Sequence, residues 1–202
     1  MVVTAIKPVT KQKFQIEIDE QPAFVLYKGE LFRYNLEQDR EIEESIYKEI
    51  VDEVLTKRAK LRAMHLLQKM DRTRYELEKK LQQSGYPQEV TERAISYVES
   101  FHYIDDRRYA AMYIQNQKTK KGNARIRMEL MRKGISQEIL SELFAHTEDE
   151  ADVKDTIRNL IEKKRSGTGA LDEKEKRKLY GFCLRRGFSS SDILSVFREI
   201  SE

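Results

Sequence analysis

Two stretches of the sequence carry side chains that could do chemistry. YIDDRRYA, Tyr103 to Ala110, sets two carboxylates side by side, the residue type of general acid and base catalysis. On a helix, however, adjacent residues point about 100° apart, so Asp105 and Asp106 would converge poorly on one reacting atom. Their placement suits helix initiation instead. Asp105 caps a helix, Asp106 meets the positive end of its dipole, and Tyr109 and Tyr113 turn toward packing. The second stretch, KTKKGNARIRMELMRKG from Lys118 to Gly134, holds seven Lys or Arg against one acid, Glu129. Such a run is suited either to a solvated helix face or to a polyanion.

Other chemistries find little support. There is no Gly-rich phosphate loop, no Ser or Cys nucleophile with a nearby base, and no metal-ligand spacing among His65, His102 and His146. The single cysteine, Cys183, cannot close an internal disulfide. We therefore expect no enzyme, cofactor or metal. No apolar run approaches the roughly 18 residues of a membrane span, and MVVTAIKPVTKQ lacks the apolar core of a signal peptide. The expectation is a cytoplasmic protein without membrane contact, acting as a monomer.

The elements that must position the basic stretch follow from a repeat. Gly85, Gly134 and Gly187 each follow a helical pattern and precede one large apolar residue, Tyr86, Ile135 and Phe188. Eight residues upstream of the glycines lie Leu77, Ile126 and Leu179, and four upstream lie Leu81, Leu130 and Cys183. This i, i+4 pairing is the inward face of a helix that ends in a left-handed glycine cap. Cys183 accordingly takes the place of a core leucine. Caps or close variants at Thr73/Glu76, Thr147/Glu150, Asp172/Glu175 and Ser189/Asp192, with starts at Ser136 and Tyr86-Pro87, divide each repeat into three short helices. The predicted modules are residues 58–104, 105–147 and 148–202, the last containing the loop SGTGA at 166–170.

Ahead of them, Phe14, Ile16 and Ile18 alternate with polar residues and, with AFVLYK after Asp19 to Pro22, predict a hairpin extension within residues 1–40, to which Val2 to Ile6 add a third strand. A helix from near Glu41, with Ile42, Ile46, Ile50 and Val54 on one side, links it to the repeats over residues 41–57. The fold class is thus mainly α: three tandem three-helix repeats in an elongated curved array after a small N-terminal sheet.

Charge is segregated along this plan, at −5 over residues 1–56, +10 over 57–134 and −2 over 135–202. Lys121, Arg125 and Arg132 share a helical stripe in the second repeat. The positions of Arg125, Arg132 and Lys133 are matched in the third by Lys178, Arg185 and Arg186, and in the first by Glu76, Gln83 and Ser84. The seven cations of repeats two and three are the candidate face for a phosphate backbone or an acidic protein groove.

The repeats also resemble the RecX regulatory proteins of bacterial recombination. The resemblance lies in TRYELEKKLQQSGYPQEV (Thr73 to Val90), YIDDRRYA, GNARIRMELMRKGIS (Gly122 to Ser136) and LRRGFSSSDI (Leu184 to Ile193). It runs from about residue 58 to the end and is most specific in the first two repeats. It implies a regulator without catalysis that binds the RecA nucleoprotein filament and restrains its ATP hydrolysis, strand exchange and co-protease activity, and with them recombination and the SOS response. It supplies no catalytic residues. Two alternatives from other classes stand beside it: direct binding of single-stranded or duplex DNA, and a scaffold whose acidic N-terminal third recruits another factor.

Overall fold

The computed structural model describes residues 1–145, 150–165 and 171–201. Two compact units divide the chain, Met1–Asp105 and Asp106–Glu202.

In the first unit, β1 (Val3–Pro8), β2 (Lys13–Ile18) and β3 (Gln21–Tyr27) form an antiparallel sheet in that order. Asp19 and Glu20 turn the β2–β3 hairpin with φ of 47° and 64°, the left-handed pair that matches strand twist. The alternation expected from the sequence is realised, with Ile16, Ile18, Phe24 and Leu26 all buried. The outer edge of β1 is covered by the chain around Glu41, which bridges Val2, and by the Val3 N–H donating to the Arg40 carbonyl at 2.9 Å.

A short helix α1 (Lys28–Arg33) follows the sheet, then α2 (Glu44–Glu49), a wider π-helical stretch (Ile50–Leu55) and α3 (Thr56–Lys69), which run on without interruption. The linking helix therefore starts at Glu44, a little later than expected. The π stretch also moves the buried face by one residue: Val51 and Leu55 are buried while Val54 is only half-buried. Helices α4 (Arg74–Gln82) and α5 (Gln88–Ser100) complete the first repeat. Its core is continuous with the sheet, one cluster reaching from Val3 to Ile104. Gly85, at φ 86°, lies so close to β3 that a methyl group there would meet Val25 Cγ2 at 2.6 Å.

The second unit holds α6 (Asp106–Gln117), α7 (Asn123–Arg132) and α8 (Gln137–Ala145), then α9 (Glu150–Lys164), α10 (Glu173–Arg185) and α11 (Ser190–Ser201). Each triplet closes its own core. Ile126, Leu130 and Leu140 belong to one, and Ile157, Leu179, Cys183 and Ile193 to the other.

The three glycines adopt φ of 86°, 83° and 85° as the repeat predicts. The Thr73 hydroxyl accepts from the Glu76 N–H at 3.2 Å, the Asp172 carboxylate from the Glu175 N–H at 2.6 Å and the Ser189 hydroxyl from the Asp192 N–H at 3.1 Å. The expected Thr147 cap and the SGTGA loop lie outside the described residues. Among the described residues no helix is long and apolar enough to cross a membrane.

Candidate polyanion-binding face

The basic stretch folds around α7. Gly122 is its N-cap, and the inward pair Ile126 and Leu130 is fully buried, which turns Arg125 and Arg132 outward. Lys121 departs from the expected stripe: it precedes the N-cap and so is not on the helix. Its side chain nevertheless reaches the Glu129 carboxylate at 2.7 Å. Arg125 Nε reaches the other oxygen of Glu129 at 2.8 Å, and the Tyr113 hydroxyl on α6 donates to Glu129 at 2.7 Å.

Burial alone would raise the Glu129 carboxyl, but the hydrogen bonds from Lys121, Tyr113 and Arg125 outweigh it and bring its pKa down to about 2. For Tyr113, burial and the hydrogen bond to Glu129 act together, and its phenol is pushed up to about 12. Tyr109 and Tyr113 stack with centroids 6.3 Å apart, and the Lys133 ammonium lies over both rings at 5.4 and 6.0 Å. Tyr109 of YIDDRRYA and Tyr113, one turn further along α6, thus form a wall of the basic face as well as packing on the module core.

The third repeat joins this face through its glycine. The Gly122 N–H donates to the Arg186 carbonyl, and the Arg186 guanidinium donates to the Lys120 carbonyl, each at 2.9 Å. Gly187 sits directly on the first turn of α7, where a methyl group would meet the Arg125 nitrogen at 2.5 Å. The fold therefore brings Arg186, which also covers the Phe182 ring at 4.5 Å, beside Lys121 and Arg125. Lys178 and Arg185 stand seven residues apart on α10, the same spacing as Arg125 and Arg132 on α7, so each pair lies along one side of its helix.

Of the seven cations, Lys121 and Arg125 are committed to Glu129, Lys133 to the tyrosines and Arg186 to the repeat junction. Arg132, Lys178 and Arg185 are exposed and make no ion pair or hydrogen bond among the described residues. Sequence reasoning passed over Glu129 as a participant. A signal was present, because Glu129 is the lone acid of the stretch and stands four residues after Arg125. The roles of Lys121 and Tyr113 depend on how α6 and α7 pack. Asp105 and Asp106 sit at the start of α6, and among the described residues no group of His, Cys, Asp and Glu could hold a metal ion.

Comparison with known families matches all three modules in order: the RecX first three-helix domain over residues 59–97, the second over 105–143 and the third over 151–197. A regulatory protein RecX of Bacillus cytotoxicus is 30% identical over 96% of this chain and 74% of its own length. The chain belongs to the RecX family of regulatory proteins. A RecX of Clostridium acetobutylicum is 28% identical, with 98% of this chain and 95% of the relative covered. A crystal structure of regulatory protein RecX shares the fold at TM-score 0.63 and 22% identity, over 98% of both chains. The Clostridium relative and the crystal structure align along nearly the full chain, so the RecX likeness extends to the N-terminal sheet as well as the repeats.

Proposed function

We propose that this RecX-family chain binds the RecA nucleoprotein filament and restrains its ATP hydrolysis, strand exchange and co-protease activity. The observation that carries the reading is the occurrence of the three RecX modules in order, with outward cations at equivalent positions of the second and third. Basic groups on successive modules suit a ligand whose charge repeats along its length. Contacts made through linked modules also reinforce one another by effective concentration.

The deciding experiment is RecA ATP hydrolysis on single-stranded DNA, titrated with this protein. Suppression at substoichiometric ratios is expected, and an unchanged rate at saturating protein would refute the proposal. In the same assay the triple variant Arg132→Glu, Lys178→Glu, Arg185→Glu should be markedly weaker while retaining its helical content.

The exposed cations favour one further reading, in which the chain acts directly on free DNA. Binding to single-stranded DNA, duplex and filament at one salt concentration separates the two. Affinity for filament well above that for either naked DNA supports the first reading, and equal affinities support the second.

A further inference from the structure

Glu129 occupies the centre of the basic face, and its surroundings are unusual for a structural ion pair. Two cations and one hydroxyl converge on its two oxygens, from Lys121 at 2.7 Å, Arg125 at 2.8 Å and Tyr113 at 2.7 Å. That is a donor set suited to a backbone phosphate: charge-assisted donors plus a hydroxyl around two anionic oxygens. Lys133, over the rings of Tyr109 and Tyr113, adds positive potential from the same side.

The relative exposures say which members can move. The carboxylate is the inner partner, with its side chain 16% exposed, whereas Lys121 is 26% and Arg125 40% exposed. Both cations are long and flexible, so an arriving phosphate could draw them outward. It would have to take them from Glu129, because two like charges cannot hold the same donors without repulsion.

We infer that Lys121, Arg125 and Tyr113 form a phosphate subsite of the basic face, which Glu129 fills in the free protein as an internal competitor. The inference rests on the polyanion reading of this face. It assigns Glu129 a function opposite to that of its cationic neighbours, since its charge lowers the affinity that they create. The single acid in an otherwise basic stretch then sets how tightly the face holds a nucleic acid, and how readily it lets go.

The test uses full-length protein and a fluorescent oligo-dT, with dissociation constants measured across a salt series. Glu129→Gln keeps the side-chain shape and an oxygen acceptor for Tyr113 while removing the charge. It should bind more tightly than wild type, with a log-log salt slope steeper by up to about 1.4, roughly 0.7 for each of two released cations on a single strand. Adding Lys121→Gln and Arg125→Gln to that variant should abolish the gain. A folded Glu129→Gln protein with unchanged or weaker affinity overturns the inference. If Glu129→Gln does not fold at the assay temperature, Glu129→Met replaces it, and the same gain is required.

Arg132→Glu, measured alongside, separates this inference from the reading beneath it. Weakening by Arg132→Glu without a gain from Glu129→Gln leaves the basic face standing and removes the role of Glu129. Absence of oligo-dT binding by both wild type and Glu129→Gln refutes the subsite together with direct polyanion binding.

Discussion

Cys183 stands where the other repeats have Leu81 and Leu130, and like them it is fully buried. Burial pushes its thiol up to about 11, with the Arg186 charge opposing only in part. A neutral, enclosed thiol is a weak nucleophile, so the native protein should resist maleimide labelling at neutral pH and become reactive only on unfolding. Cys183→Ala should cost on the order of 1 kcal/mol in urea unfolding, through lost packing, with binding retained. Glu129 gives a pH signature. Its folded pKa of about 2 lies below the ordinary 4.5, so the stabilisation it provides is fully present above pH 4.5 and is lost as pH falls toward 2. Glu129→Gln should therefore be less stable than wild type at pH 7, by roughly 3 kcal/mol for a pKa lowered this far. The gap should close between pH 4.5 and 2, and a gap that persisted at pH 2 would contradict the assignment. The two residues differ in how plainly the sequence announced them. Cys183 was legible because the repeat aligns it with two leucines. Only the Arg125–Glu129 half of the Glu129 cluster has a local spacing, and the other half arises from tertiary contact.

At the scale of the elements, glycine is used in two contrasting ways. Gly187 combines φ of 85° with a close approach to Arg125, where a methyl group would meet backbone nitrogen at 2.5 Å. Gly187→Ala must adopt a left-handed conformation and also push α7 from the end of α10, so a loss of at least about 2 kcal/mol is expected. Gly29 lies inside α1 with nothing within 4 Å of an added methyl group. Gly29→Ala should be neutral or stabilising by up to about 1 kcal/mol. Denaturant midpoints of the two variants check both expectations, and equal effects would show that the close approach at Gly187 is unimportant. Glycine spacing and caps made the repeat helices readable, because both signals are local. The π stretch after Glu49 was not readable, since a one-residue shift in register has no marker of its own. Lys121 departs from the α7 stripe because the helix starts only after Gly122, and helical periodicity does not reach back past its N-cap.

For the molecule as a whole, the cores decide what can stand alone. The sheet and the first repeat share one core from Val3 to Ile104, whereas the second and third modules have one each. A fragment ending at Asp105 should fold by itself and melt cooperatively by circular dichroism. Removing residues 1–27 from that fragment should abolish the transition by stripping Phe24 from Tyr47 and Val25 from Gly85, and a cooperative melt without the sheet would refute the shared core. Alternation in the strands showed that one face was buried, but it could not show against what. Alternation alone therefore predicts an extension, whereas the inner face of the sheet belongs to the core of the first repeat. This sharing has a consequence for biosynthesis. The first strand leaves the ribosome about a hundred residues before Ile104, its last core partner, a wait of roughly 5 to 20 s at ordinary elongation rates. Through that interval the three strands can pair with one another but the core beneath them is incomplete, while each later module can close soon after its own third helix is made. The N-terminal unit is thus the part of the chain whose core stays incomplete longest during synthesis.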